Sequence, residues 1–217
     1  MRKLTRLQSI ITGGAFALAG IGGVSASTLG AQPASAAPVG DPAAVTIEQP
    51  TQAQASAPSQ QDLHPMPISG TQKTFTPDHE QLANTKAIVD TAKELHLPPR
   101  AWTIAVATSL QEANLHNVGD LGSANDHDSL GLFQQRPSTG GWGTAEQIQD
   151  PHHAASKFLT RLTQLDGWQD MPLTKAAQKV QVSAYPEHYA KHETQAGDMI
   201  DALYGTGPYA QAATDLR

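Results

Sequence analysis

Hydrophobic and polar positions fall into three stretches of different rhythm. From Leu7 to Ala31 the chain is uncharged and rich in Ala, Gly, Ile and Leu. From residue 37 to about 76, APVGDPAAVTIEQPTQAQASAPSQQDLHPMPISGTQ keeps no sustained period. From Thr76 onward apolar residues recur at helical spacing. Thr76-Pro77 reads as a cap and first turn, with Leu82, Val89, Ala92 and Leu95 on one face. Pro98-Pro99 closes that helix and opens the next. The second segment, RAWTIAVATSLQEA, is apolar nearly all round, the mark of a helix buried mid-domain. A polar stretch from Asn114 to Ser129 follows, longer than a simple turn requires.

Three further helices are expected. One starts at Asp150-Pro151, with Ala154, Ala155, Phe158, Leu162 and Leu165 facing one way, and ends at Gly167. Thr174 is expected to cap a shorter one through about Ala184. Pro186 is expected to begin the last, with Tyr189, Ala196, Ile200 and Leu203 inward, ending at Gly205. Strand-like alternation is almost absent. The expected fold class is therefore mainly α, one domain over 77–204 with a short tail over 205–217. Residues 37–76 are too poor in apolar surface to offset their ordering entropy and are expected to be a disordered linker.

The N-terminus changes the picture of where such a domain works. Arg2, Lys3 and Arg6 precede the apolar run, which closes on Ala34-Ser35-Ala36. That order describes a secretory signal over 1–36, with a secreted, extracellular destination. An uncleaved anchor is the competing reading, weakened by the Gly, Ser and Thr that dilute the run. The chain has no cysteine, so packing alone must hold it. Without the leader, 11 Lys and Arg face 20 Asp and Glu, a net charge of −9. No basic stripe exists to neutralise phosphates, so nucleic acid is excluded as an expected partner.

Candidate chemistry centres on Glu112, at the C-terminal end of the buried helix. The helix dipole is negative there and apolar neighbours such as Leu110 disfavour the ionised form. Both effects raise a carboxyl pKa, as a general acid requires. A second feature is Ser129-Leu130-Gly131-Leu132-Phe133-Gln134-Gln135, an apolar turn around a glycine followed by paired amides. Nine histidines invite a metal reading, with His188, His192 and Glu193, Asp126-His127-Asp128, and His152-His153 clustered. No HExxH or equivalent ligand set appears, so neither a metal nor another cofactor is expected. Trp142 and Trp168 are either sugar-stacking rings or core.

Together, QEANL, a polar loop and DSLGLFQQ resemble the lysozyme-like, soluble lytic transglycosylase superfamily, in a secreted actinobacterial branch. Asp150-Pro151 before Phe158-Leu159, and Ser183-Ala184-Tyr185, continue the likeness, which covers roughly residues 80 to 200. The resemblance implies a lysozyme-like helical domain that cleaves peptidoglycan between MurNAc and GlcNAc. It implies Glu112 as the catalytic general acid, Gly131, Phe133 and Gln134 lining the sugar subsites, and Tyr185 holding the sugar near the cleavage point. The implied partner is the glycan strand, met by a monomer with no stable membrane insertion once the leader is removed. A lytic transglycosylase works with one carboxylate, whereas a hydrolase needs a second, for which Asp128 is the candidate. A domain that binds glycan without cutting it is the alternative from another class. Ala113 stands where the family often has Ser, and Pro186 where it usually has Asn.

Overall fold

A computed structural model describes residues 56–125, 127–183 and 187–217. The expected signal over 1–36 and the first part of the linker lie outside the described residues, as do Asp126, Ala184, Tyr185 and Pro186. The described chain is mainly helical, and its one β feature is an antiparallel bridge between Leu130 and Gln135. Among the described residues no helix is long and apolar enough to cross a membrane.

The buried helix sits at the centre. It spans Pro99–Ala113 (α3), preceded by a four-residue helix Gln60–Leu63 (α1) and by His79–Glu94 (α2). Pro99 occupies the first turn, where a missing N–H costs nothing. Every residue from Arg100 to Leu110 is buried, because α3 touches α1 and α2 and also Pro151–Thr163 (α5), Leu173–Gln181 (α6) and Glu193–Leu203 (α7). A short helix Ala145–Ile148 (α4) leads into α5. Asp150 caps α5 by accepting from the His152 and His153 amides at 2.9 and 3.4 Å, with Pro151 in the first turn. On its inner face Phe158 stacks on Phe133, ring centroids 4.8 Å apart.

Three helix boundaries differ from the expected ones, the first because a side chain offers a better cap. Asp78, two residues beyond Thr76, caps α2 through a reciprocal box with Gln81. Leu95 then falls outside the helix and is 39% exposed. Thr174 does not cap α6, since the helix begins one residue earlier behind Pro172 and ends at Gln181. The last helix starts at Glu193, after a 3-10 turn over Ala190–His192.

Two segments expected to be loose are packed on the domain. Leu63 is fully buried, and Gln72, Lys73 and Phe75 hydrogen-bond to residues 190–195. The folded unit thus includes a strap over 59–75 that composition assigned to the linker. The reason is that its anchors are hydrogen bonds, the contact of His64 with Glu193 and the isolated apolar side chains Leu63 and Phe75, none of which has a periodic signature. The tail over 205–217 is likewise held: Ala213 is buried, and the Arg217 guanidinium donates to the Ala202 carbonyl of α7 at 3.3 Å.

Buried charge marks the N-terminal end of α3. The Arg100 guanidinium donates to Glu193 Oε1 at 2.6 Å and to the carbonyls of Leu63 and Met171. His64 Nδ1 lies 3.5 Å from the same carboxylate oxygen. The two hydrogen bonds to Glu193 and the positive charge of Arg100 overcome burial and hold its carboxyl below the usual range.

Candidate active site

The opposite end of α3 carries Glu112. The helix stops at Asn114, which adopts the left-handed conformation (φ +52°), followed by Leu115 at φ +58°. Two side chains of α2 accept this unusual end into the fold: Gln81 and Asn84 donate to the carbonyls of Asn114 and Leu115, each at 2.8 Å. Those bonds satisfy carbonyls that a helix end leaves without partners. Glu112 therefore sits on a fixed terminus, half-buried, on the wall of a groove of about 600 Å³.

The groove's other lining comes from the turn after the polar loop and from α6, including Gln134, Arg136, Trp142, Gln181 and Val182. Leu130 and Gln135 exchange backbone hydrogen bonds at 2.9 and 3.0 Å, closing the turn. Gly131 lies inside it at φ +70°, where an added Cβ would stand 2.5 Å from the Ile148 carbonyl oxygen. Glycine is required there by the approach of α4, and Gly131 does not line the groove. Phe133 is 1% exposed, stacked in the core, and does not line the groove either. Both of these expected subsite residues thus lie behind the lining, in the turn that presents Gln134. Tyr185 lies outside the described residues.

Around the Glu112 carboxyl, the Tyr189 hydroxyl donates to Oε1 at 2.7 Å. The Gln181 side chain also hydrogen-bonds the carboxyl while its Nε2 donates to the Phe133 carbonyl at 2.8 Å. Burial outweighs both bonds and pushes the Glu112 pKa up. Burial and the neighbouring Glu112 carboxylate in turn hold the Tyr189 hydroxyl protonated, well above the usual phenol range. Tyr189 is the site residue that sequence reasoning missed. Its inward position was read as core packing, and nothing in its spacing from Glu112 reveals that the chain returns to that carboxyl.

Asp128 is committed elsewhere. It accepts from Arg136 Nε at 2.9 Å and from the Ser138 amide and hydroxyl at 2.8 and 2.9 Å. The Arg136 bond, then the Ser138 amide, hold its carboxyl well below the usual range. It braces the loop that leads to Trp142 and is not among the residues lining the groove. Among the described residues Glu112 is the one acidic side chain on that lining.

Two rim features complete the site. Arg161 lies over the Trp142 ring, 3.4 Å from its centroid, and Trp142, 8% exposed, packs in the core while lining the groove. Trp168 is 4% exposed, belongs to the core and does not line the groove. Val182 ends α6 at φ +52° and is 81% exposed. A β-branched residue in that conformation costs about 1–2 kcal/mol. The histidines serve local contacts: His153 Nε2 meets the Trp142 carbonyl oxygen at 2.9 Å, and His152 Nδ1 meets the Thr91 hydroxyl at 3.0 Å. Among the described residues no three His, Asp or Glu side chains converge as metal ligands.

The groove thus offers a carboxyl whose pKa is raised, a phenol hydrogen-bonded to it, and amide groups able to meet hydroxyls and carbonyls. Neither a family model nor a curated protein matches this chain.

Proposed function

We propose that this protein cleaves the glycan strand of peptidoglycan between MurNAc and GlcNAc as a lytic transglycosylase. The observation that carries the reading is Glu112, a half-buried carboxyl with a raised pKa that lines the groove without a second acidic side chain among the described residues. A lysozyme-like domain is part of the same proposal, supported by the resemblance of QEANL and DSLGLFQQ together with a mainly helical fold.

Glu112 enters the reaction protonated and donates its proton to the glycosidic oxygen, so the bond from that oxygen to the MurNAc anomeric carbon breaks. The resulting carboxylate takes the proton of the MurNAc 6-hydroxyl as that oxygen closes on the anomeric carbon. An anhydro ring forms, water is not consumed, and Glu112 is left protonated for the next turnover. Tyr189 donates a hydrogen bond that stabilises the carboxylate formed between the two steps. A hydrolase of either stereochemistry uses a second carboxylate, about 5–5.5 Å away for retention or roughly 6.5–9.5 Å for inversion. Asp128, bound to Arg136 and Ser138, does not serve.

The leader expected over 1–36 supports an extracellular place of action. Incubating the mature protein with purified sacculi tests the reading. Soluble muropeptides released by wild type and not by Glu112→Gln support it. Sacculus binding that survives Glu112→Gln, with no release by either protein, establishes a wall-binding module instead.

A further inference from the structure

The strap over residues 59–75 lies outside the groove, yet it grips the stretch of chain that delivers Tyr189 to Glu112. Gln72 is the centre of that grip. Its Nε2 donates to the Ala190 carbonyl at 2.9 Å, and its Oε1 accepts from the Thr194 amide at 3.0 Å. One side-chain amide thereby spans the 3-10 turn Ala190–His192 and the first turn of α7. The same Nε2 reaches the Ser69 carbonyl at 2.9 Å, which fixes the amide within its own strap. Beside it, the Lys73 amide donates to the Lys191 carbonyl at 2.8 Å. Further along, Phe75 and Gln195 exchange two bonds, at 3.0 and 3.1 Å.

Tyr189 immediately precedes the clamped turn and closes it, its carbonyl accepting from the His192 amide at 3.1 Å. Rotation of that turn would swing the phenol off Glu112, because a hydroxyl at the end of a rigid ring follows its backbone. The geometry points to Gln72 as a positioning residue for Glu112, acting through Tyr189. The catalytic unit then begins in the strap and not at α2, and the chain upstream of residue 59 joins the domain at a segment coupled to its acid. This inference rests on the reading of Glu112 as the reacting group, but its test does not require turnover.

Other groups bear on the same carboxyl and must be held constant. His127 and Arg136 line the groove with it, and His192 meets Gln111 Oε1 at 3.3 Å. His192 is pushed down to about 4 by burial and by the charges of Lys191 and Lys73, so it stays neutral through the working range. Gln72→Met leaves the charge of each of these groups unchanged and keeps the side-chain volume while removing the side-chain hydrogen bonds to Ala190, Thr194 and Ser69.

The experiment is a carbon-13 NMR titration of the Glu112 carboxyl in the mature full chain, with Glu112→Gln to assign the resonance. Wild type, Gln72→Met, Tyr189→Phe and the double variant are compared. Loss of a hydrogen bond to the carboxylate moves its midpoint to higher pH. The expected result is an upward shift in Tyr189→Phe, a smaller one in Gln72→Met, and no further shift in the double variant, because both act through one contact. On sacculi, Gln72→Met is expected to lower kcat about tenfold, with KM unchanged. An unchanged midpoint in Gln72→Met, while Tyr189→Phe shifts it, overturns the inference, as does an unchanged midpoint in Tyr189→Phe. Gln72→Ala, read the same way, replaces Gln72→Met if that variant does not fold. Shifted midpoints in a protein that releases nothing from sacculi uphold the positioning role and overturn the glycan-cleaving function.

Discussion

Each end of helix α3 bears on a glutamate, one buried and one half-buried, and the two carboxyls behave in opposite ways. At its N-terminal end Glu193 meets Arg100 and His64, and its pKa is lowered. At its C-terminal end Glu112 meets a phenol and an amide, neither of them charged, and its pKa is raised. Burial acts in the same direction at both. What differs is the partner: a guanidinium makes the carboxylate a structural ion, and neutral donors leave the carboxyl a proton carrier. The first end is closed by the strap and α7, and the second opens on the groove.

The largest expected effect lies at the closed end. Arg100→Met leaves Glu193 buried without its cation and is expected to cost about 3–5 kcal/mol in urea denaturation. The matching change at the open end, Glu112→Gln, is expected to cost activity instead, about 10²- to 10⁴-fold in kcat. Its stability should equal wild type in acid and exceed it at neutral pH. The sign follows from linkage: a raised folded-state pKa gives stability that is full below the ordinary glutamate pKa and is lost as pH rises through the folded value. Glu193 has the reverse profile, full above the ordinary pKa and lost as pH falls through its lowered folded value. Thermal melts across pH 3–8 on Glu112→Gln and Glu193→Gln separate the two.

Smaller changes sharpen the contrast between the turn that supports the groove and the rim that faces it. Gly131→Ala is expected to destabilise by about 2–4 kcal/mol, from its positive φ and its collision with the Ile148 carbonyl. Val182→Gly should do the opposite, raising stability by about 0.5–1 kcal/mol as the left-handed strain at the rim is relieved. A calorimetric scan of both variants reads the two signs directly.

Helix α3 and its terminal glutamate were legible because both have local signatures: an all-round apolar segment, and an acid at the negative end of a helix dipole. The Gly-Leu-Phe-Gln turn was visible as a motif, but its division of labour was not. Whether Phe133 faces a groove or stacks on Phe158 depends on where α5 returns, and α5 lies some 20 residues downstream. Tyr189 and Gln72 were invisible as site residues for the same reason. Their partners, Glu112 and residues 190–194, are distant in sequence, and no periodic pattern records an amide that binds backbone. Asp128 looked available because a loop aspartate carries no mark of the arginine it will meet.

Whether the Glu112 carboxyl works alone is decided by the chemistry of the product. Sacculi digested by the wild-type protein in heavy-oxygen water and read by mass spectrometry distinguish the routes. A lone carboxyl yields anhydro-MurNAc ends that carry no heavy oxygen, absent in digests by Glu112→Gln. Reducing MurNAc ends that carry the solvent label would contradict it, because they require an activated water and a second group to activate it.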